Sequence, residues 1–136
     1  MSIILGIDYG DKRIGLALSD PEEKLARRFK TLGNAGRESA AANVARIIAE
    51  ENVGKAVVGL PVGFGGESDQ TRLVREFIER LRLETQVPIE TMNEALTSKM
   101  AQDNLHAAGV KDIKAVLDQE AARIILQDYL DHASKH

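Results

Sequence analysis

No cysteine occurs anywhere in the 136 residues, which excludes a disulfide framework, a thiolate metal centre and a cysteine nucleophile. Tryptophan is also absent and aromatic residues make up 4% of the chain, too few for the stacking platforms on which single-strand binders hold successive bases. No apolar run approaches the ~20 residues of a membrane span. The start Met1-Ser2-Ile3-Ile4-Leu5 has neither a basic n-region nor a cleavage site, so a secretory leader is not expected and a cytoplasmic protein is the simplest fit. A cationic surplus is missing too. The formal net charge is −3, which argues against a surface attracting phosphate everywhere, because non-specific nucleic-acid binding is carried by Lys and Arg. Local basic patches stay open at Lys12 and Arg13, at Arg27, Arg28 and Lys30, and along Arg72, Arg75, Arg80 and Arg82. Each taken alone reads more readily as solvated charge on a helix or strand face.

What is present is an ordinary globular composition, 43% hydrophobic and 29% charged. The length fits one domain, residues 1–136, with one core. It is too short for two full nucleotide-binding lobes. An unbroken apolar run predicts a buried strand over residues 3–8, with a hairpin partner over 14–19 across a turn containing Gly10 and Asp11. A short third strand is predicted over 27–32. The period then changes: Ala41, Val44, Ala45, Ile47 and Ile48 recur at helical spacing, predicting an amphipathic helix over 38–51. Residues 55–60 read as a buried parallel strand stopped by Pro61. A glycine-rich loop carrying Phe64 follows, then a helix to residue 83 capped by Ser68 or Asp69. Residues 87–92 form a last strand, and two helices close the chain, 97–108 ended by Gly109 and 113–131. This order predicts an α/β fold: a mixed five-stranded sheet, three antiparallel strands plus two parallel, flanked by about four helices.

Three acids stand out. Asp8 ends the first strand, where the central sheet meets solvent, and reads as the first ligand of a metal site; the alternative is a carboxylate bonding the backbone of its own turn. Glu94 follows the last strand, again at a carboxyl end, where mixed sheets bind ligands; alone it reads as a solvated loop acid. At about 100° per residue, Asp118 shares a direction with Ala121, Ala122, Ile125 and Tyr129, whereas Glu120, Arg123, Gln127 and Asp131 lie opposite. A carboxylate inside an apolar arc needs a cation, hydrogen bonds or a proton. The alternatives for Asp118 are a capping or dipole role near the helix start and an arginine partner. Three carboxylates from separate elements suit Mg²⁺ or Mn²⁺, and two such ions can promote phosphodiester hydrolysis. His106, His132 and His136 have no ligand or triad spacing and read as surface residues. Glu67 is a weaker candidate for the acidic site.

Several blocks together resemble the YqgF/RuvX family: Gly6-Ile7-Asp8-Tyr9-Gly10 with Lys12-Arg13-Ile14-Gly15, Ser19-Asp20-Pro21, Val57-Val58-Gly59-Leu60-Pro61, Gly66-Glu67, Glu94 with Leu96-Thr97, and Asp118 through Ala121-Ala122 and Ile125-Leu126-Gln127 to Tyr129-Leu130. The resemblance spans essentially the whole chain in order. It implies a ribonuclease H-like fold and a hydrolase that resolves Holliday junctions or matures the 5′ end of pre-16S rRNA in ribosome biogenesis. It also implies that Asp8, Glu94 and Asp118 are catalytic metal ligands, with Lys12 and Arg13 near the nucleic-acid backbone. Pre-16S rRNA or branched DNA is then the expected partner, with ribosome-assembly association, and symmetric junction cleavage would call for a homodimer. Where the family reads Asp-Glu-Arg-Leu-Thr, this chain has Asn93-Glu94-Ala95-Leu96-Thr97, losing an acid and a base but keeping the glutamate. That loss motivates another reading, an RNA-binding assembly factor with weakened catalysis. The Gly-Ile-Asp-x-Gly strand also looks like the phosphate loop of actin-like ATPases and sugar kinases, which use two such lobes.

Overall fold

The computed structural model describes residues 2–61, 66–94 and 97–133. Within them the chain runs β1 (Ile3–Tyr9), β2 (Arg13–Ser19), β3 (Ala26–Gly33), α1 (Arg37–Glu50), β4 (Val53–Leu60), α2 (Asp69–Glu84), β5 (Ile89–Asn93), α3 (Thr97–Ala107) and α4 (Ile113–Ala133). The strands form one sheet in the order β3-β2-β1-β4-β5. β2 is antiparallel to both β1 and β3, whereas β4 is parallel to β1 and β5 parallel to β4. This is the mixed topology that the element order predicts.

Strand alternation divides the core into two layers. On one face Leu5, Ile7, Leu16, Leu18, Val58 and Leu60 pack under α1 and α2, against Val44, Ile47, Val74 and Phe77. On the other, Ile4, Ala17 and Val57 meet Ala122, Ile125, Leu126 and Leu130 of α4. Each fully buried Leu or Ile contributes roughly 1.5–3 kcal/mol relative to exposure, so both layers hold the sheet. Helix α3 packs on α4 rather than on the sheet. Ser68 caps α2, accepting from the Thr71 backbone N–H at 3.3 Å, and Thr71 Oγ1 donates to the Pro61 carbonyl at 2.8 Å, fixing the start of α2 beside the end of β4. Among the described residues no helix is long and apolar enough to cross a membrane.

Helix α4 corrects the single-arc reading. Glu120, placed opposite the apolar face by its spacing, is 4% exposed, whereas the Asp118 side chain is 18% exposed. The cause is a second apolar contact: α4 lies between the sheet and α3, so it has two buried flanks. Arg123 donates to both carboxylate oxygens of Glu120, at 2.8 and 2.5 Å, and Asn104 of α3 donates at 3.2 Å. Burial is the largest influence on Glu120 and pushes its carboxyl up, but these hydrogen bonds outweigh it and hold the group below its usual value.

Candidate active site

The alternation that sorts the core also builds the site. Ile4, Gly6 and Asp8 share one face of β1, and Ile4 places that face under α4. Asp8 pairs with Gly15 of β2. A methyl group at Gly15 would collide with the backbone carbonyl of Asp118, so glycine here lets the start of α4 lie flush on the sheet and brings Asp118 alongside Asp8. Across the sheet, a methyl at Gly59 of β4 would sit 2.8 Å from Glu94 Oε2. The missing side chain makes the space that the glutamate occupies. Glu94 itself is anchored by its backbone N–H, which donates to the Leu60 carbonyl at 3.0 Å. Asp8, Glu94 and Asp118 therefore line one cleft of about 360 Å³ with Tyr9, Gly10, Pro61, Gln70 and Thr97.

The electrostatics of this cleft are those of too much negative charge in too little water. Burial is the main cause that raises Asp8 from its ordinary 3.8 to about 6; the Asp118 charge adds to it, and a hydrogen bond from Glu94 opposes it. Burial likewise raises Glu94 from 4.5 to about 8, reinforced by the Asp8 charge and by the hydrogen bond between the two side chains. Glu94 thus holds a proton that Asp8 accepts. Asp118 is neutralised differently: Arg13 Nε donates to its Oδ2 at 2.7 Å. As they stand, no three His, Cys, Asp or Glu side chains among the described residues enclose a metal position. The donor set nevertheless fits a hard divalent cation, because buried carboxylates that resort to a shared proton and a borrowed guanidinium are short of positive charge.

The departure at Asn93-Glu94-Ala95 acquires a geometric meaning. Glu94 faces Asp8, whereas Asn93 lines a different cleft with Met100, Asn104 and Arg123. The substitution at 93 leaves the carboxylate beside Asp8 in place. Ala95, Leu96, Phe64 and His136 lie outside the described residues. Of the basic candidates, Lys12 and Arg13 stand exposed at the turn beside the cleft. The α2 arginines are committed to acids: Arg72 to Asp69, Arg75 to Glu67, Arg80 to Glu84 and Arg82 to Glu79. Glu67 therefore serves Arg75 and does not line the acidic cleft. His106 and His132 are exposed. Gln70 was not legible as a cleft residue; its signal is the Ser68 cap, which puts it in the first turn of a helix that begins beside the strand ends.

Comparison with known proteins identifies the family and the fold. A family model described as "RuvX: Holliday junction resolvase" matches residues 2–132. A Chloroflexus aggregans protein named "Putative pre-16S rRNA nuclease" is 44% identical over 131 residues, 94% of this chain and 92% of its own. Among solved structures, T. thermophilus RuvC in complex with a Holliday junction substrate superposes with a TM-score of 0.65 at 15% identity, covering 99% of this chain and 97% of that one. The fowlpox virus resolvase in complex with Holliday junction DNA gives 0.62 at 14% identity, covering 96% and 98%. At such identities these two speak to the fold alone, which is that of the RuvC-like, ribonuclease H-like resolvases. Sequence and fold together place the protein in the RuvX (YqgF) family of nucleases.

Proposed function

We propose that this protein is a divalent-metal-dependent nuclease, Mg²⁺ or Mn²⁺ being the ion, that hydrolyses phosphodiester bonds of structured RNA at the 5′ end of pre-16S rRNA. The observation that carries the reading is the convergence of Asp8, Glu94 and Asp118, from three separate elements, on one cleft at the strand ends. The relatives named for pre-16S rRNA support the choice of substrate. All three carboxylates would hold the ion, which supplies Lewis-acid stabilisation of the charge that develops at phosphorus. Holding an ion would require Glu94 and Asp8 to give up their shared proton, so metal binding would tighten with rising pH. Lys12 and Arg13 stand at the rim, where their charge orients the phosphodiester. Water adds to phosphorus and gives up a proton to solvent, the P–O bond to the leaving oxygen breaks, and that oxygen takes up a proton from solvent, leaving a phosphate monoester and a hydroxyl end.

A second reading, resolution of four-way DNA, is favoured by the family description. Symmetric resolution needs two active sites, so it predicts a homodimer. The test is a cleavage panel with Mg²⁺ and Mn²⁺ comparing a pre-16S rRNA fragment with a four-way DNA junction, alongside the solution mass. Cleavage of the RNA alone supports the first reading; paired nicks in the junction by a dimer support the second. RNA binding without turnover at saturating Mn²⁺ would instead identify an assembly factor. Asp8→Asn is expected to abolish metal-dependent cleavage with the fold intact, and unchanged cleavage in that variant would sink the mechanism.

A further inference from the structure

The three acids of the cleft are neutralised in two different ways, and the difference assigns a role to Arg13. Asp8 and Glu94 satisfy one another through a hydrogen bond. Asp118 does not join them; its Oδ2 accepts from Arg13 Nε at 2.7 Å. The third carboxylate a cation would use is thus already occupied by a positive charge of the protein itself. We propose that Arg13 is the resting counter-ion of Asp118, and that it gives up this carboxylate when a divalent cation enters, carrying its guanidinium to the phosphodiester backbone. The proposal rests on the reading of Asp118 as a metal ligand.

Geometry favours an exchange over a permanent clamp. The Arg13 side chain is 57% exposed and that of Asp118 18%, so the partner able to leave is the arginine. It sits on the first residue of β2, whose backbone is fixed independently: the Arg13 carbonyl accepts from Gly10 N–H at 2.9 Å. Release moves a side chain and no strand. An ion pair this open on one side is weakened by water and salt, and a dication among three carboxylates outcompetes it. The observed pair is single, through Nε, with the terminal nitrogens uncommitted to any acid among the described residues. Guanidinium donors of this kind grip phosphate in a fork that Lys cannot reproduce. Neighbouring Lys12 is exposed and among the described residues pairs with no acid, so it provides a matched control.

Calorimetric titration of Mn²⁺ alone into the wild type, Arg13→Met, Lys12→Met and Asp118→Asn proteins tests the exchange. Arg13→Met is expected to bind Mn²⁺ at least about fivefold more tightly, at the low end of ordinary coupling between sites. Lys12→Met is expected to stay within about twofold and Asp118→Asn to bind more weakly. Equal affinity of Arg13→Met and wild type overturns the proposal, and so does equal tightening by both cation deletions, which would be simple loss of nearby positive charge. If Asp118→Asn binds Mn²⁺ as the wild type does, the reading of Asp118 as a ligand fails and the exchange fails with it. Weaker binding by Asp118→Asn without tightening by Arg13→Met sinks the exchange alone. A reciprocal readout comes from fluorescence anisotropy of a labelled four-way DNA junction with nuclease-resistant phosphorothioate linkages. Mn²⁺ should tighten its binding to the wild type by a larger factor than to Arg13→Met, which gains only the loaded cleft and no released guanidinium; equal Mn²⁺ enhancement in both overturns the proposal. Arg13→Gln should rank with Arg13→Met, and thermal melting verifies that both are folded.

Discussion

A buried carboxylate whose pKa lies above its unfolded value opposes folding once it is ionised. Asp8 at about 6 and Glu94 at about 8 both lie above their ordinary 3.8 and 4.5. The sign follows from proton linkage: the folded state binds more protons than the unfolded chain between about pH 4 and 8, so stability in that window falls as pH rises. Glu90 and Glu120 are shifted the opposite way, and their contribution is lost only at acid pH, below the window. In EDTA, the melting temperature of the wild type is therefore expected to decline between pH 5 and pH 8.5. Asp8→Asn removes one of the two opposing charges and should flatten that decline, melting about 3–5 °C above the wild type at pH 8, on the order of 1 kcal/mol. Mn²⁺ should raise the wild-type melting temperature by mass action and raise that of Asp8→Asn much less. A wild-type curve that climbs steadily from pH 5 to 8.5 in EDTA would refute the buried, proton-sharing pair.

At the level of elements, Gly15 joins the sheet to α4, and its substitution has a direct consequence. A methyl there meets backbone of α4, not the movable end of a side chain, so relief requires the helix to shift. Gly15→Ala is expected to cost roughly 2–3 kcal/mol by overpacking, visible in urea denaturation, and to lower cleavage further by carrying Asp118 away from Asp8. Gly59→Ala meets Glu94 Oε2 and the Ile125 Cδ1 methyl, both side-chain ends, and should be the milder substitution. The same elements explain what was legible beforehand. The strands and helices were readable because unbroken apolar runs and helical spacing were clear, and Asp8 stood out because an acid ends the first of those runs. Glu94 offered no such signal: β5 is exposed at most positions, so position 94 carries no visible periodicity, and only its place after the last strand together with the family motif singled it out. Asp118 and Glu120 exchanged their degrees of burial because one arc cannot represent a helix packed on two sides. The arginine partner left open for Asp118 is present, as Arg13, and it came from a strand 105 residues away in sequence, beyond the reach of local spacing.

Over the whole molecule, the distribution of charge limits how nucleic acid can be held. A net charge of −3 gives no general attraction for phosphate, and the α2 arginines face their own acids. Arg28 is likewise drawn to Glu120. Among the described residues, Lys12 and Lys114, the latter one helical turn before Asp118, are exposed without an ion pair, Arg27 and Lys30 lie exposed along the edge strand β3, and Arg13 is held by Asp118. Counterion release scales with the number of phosphates neutralised, with a slope of about −0.7 per contact for a single strand. Two to four contacts predict that log K against log[KCl] has a slope between about −1.4 and −2.8 for a labelled single-stranded RNA without divalent ions. Lys12→Met should reduce the slope by about 0.7 and weaken binding uniformly across sequences. A slope steeper than about −4 would mean that surfaces beyond these residues engage RNA and that the α2 ion pairs open on binding. With so few backbone contacts, the proposed function requires that affinity for substrate depend on the loaded acidic cleft. Restoring Mn²⁺ should then tighten RNA binding in the wild type and do so far less in Asp8→Asn, which has the same basic residues but lacks the first carboxylate.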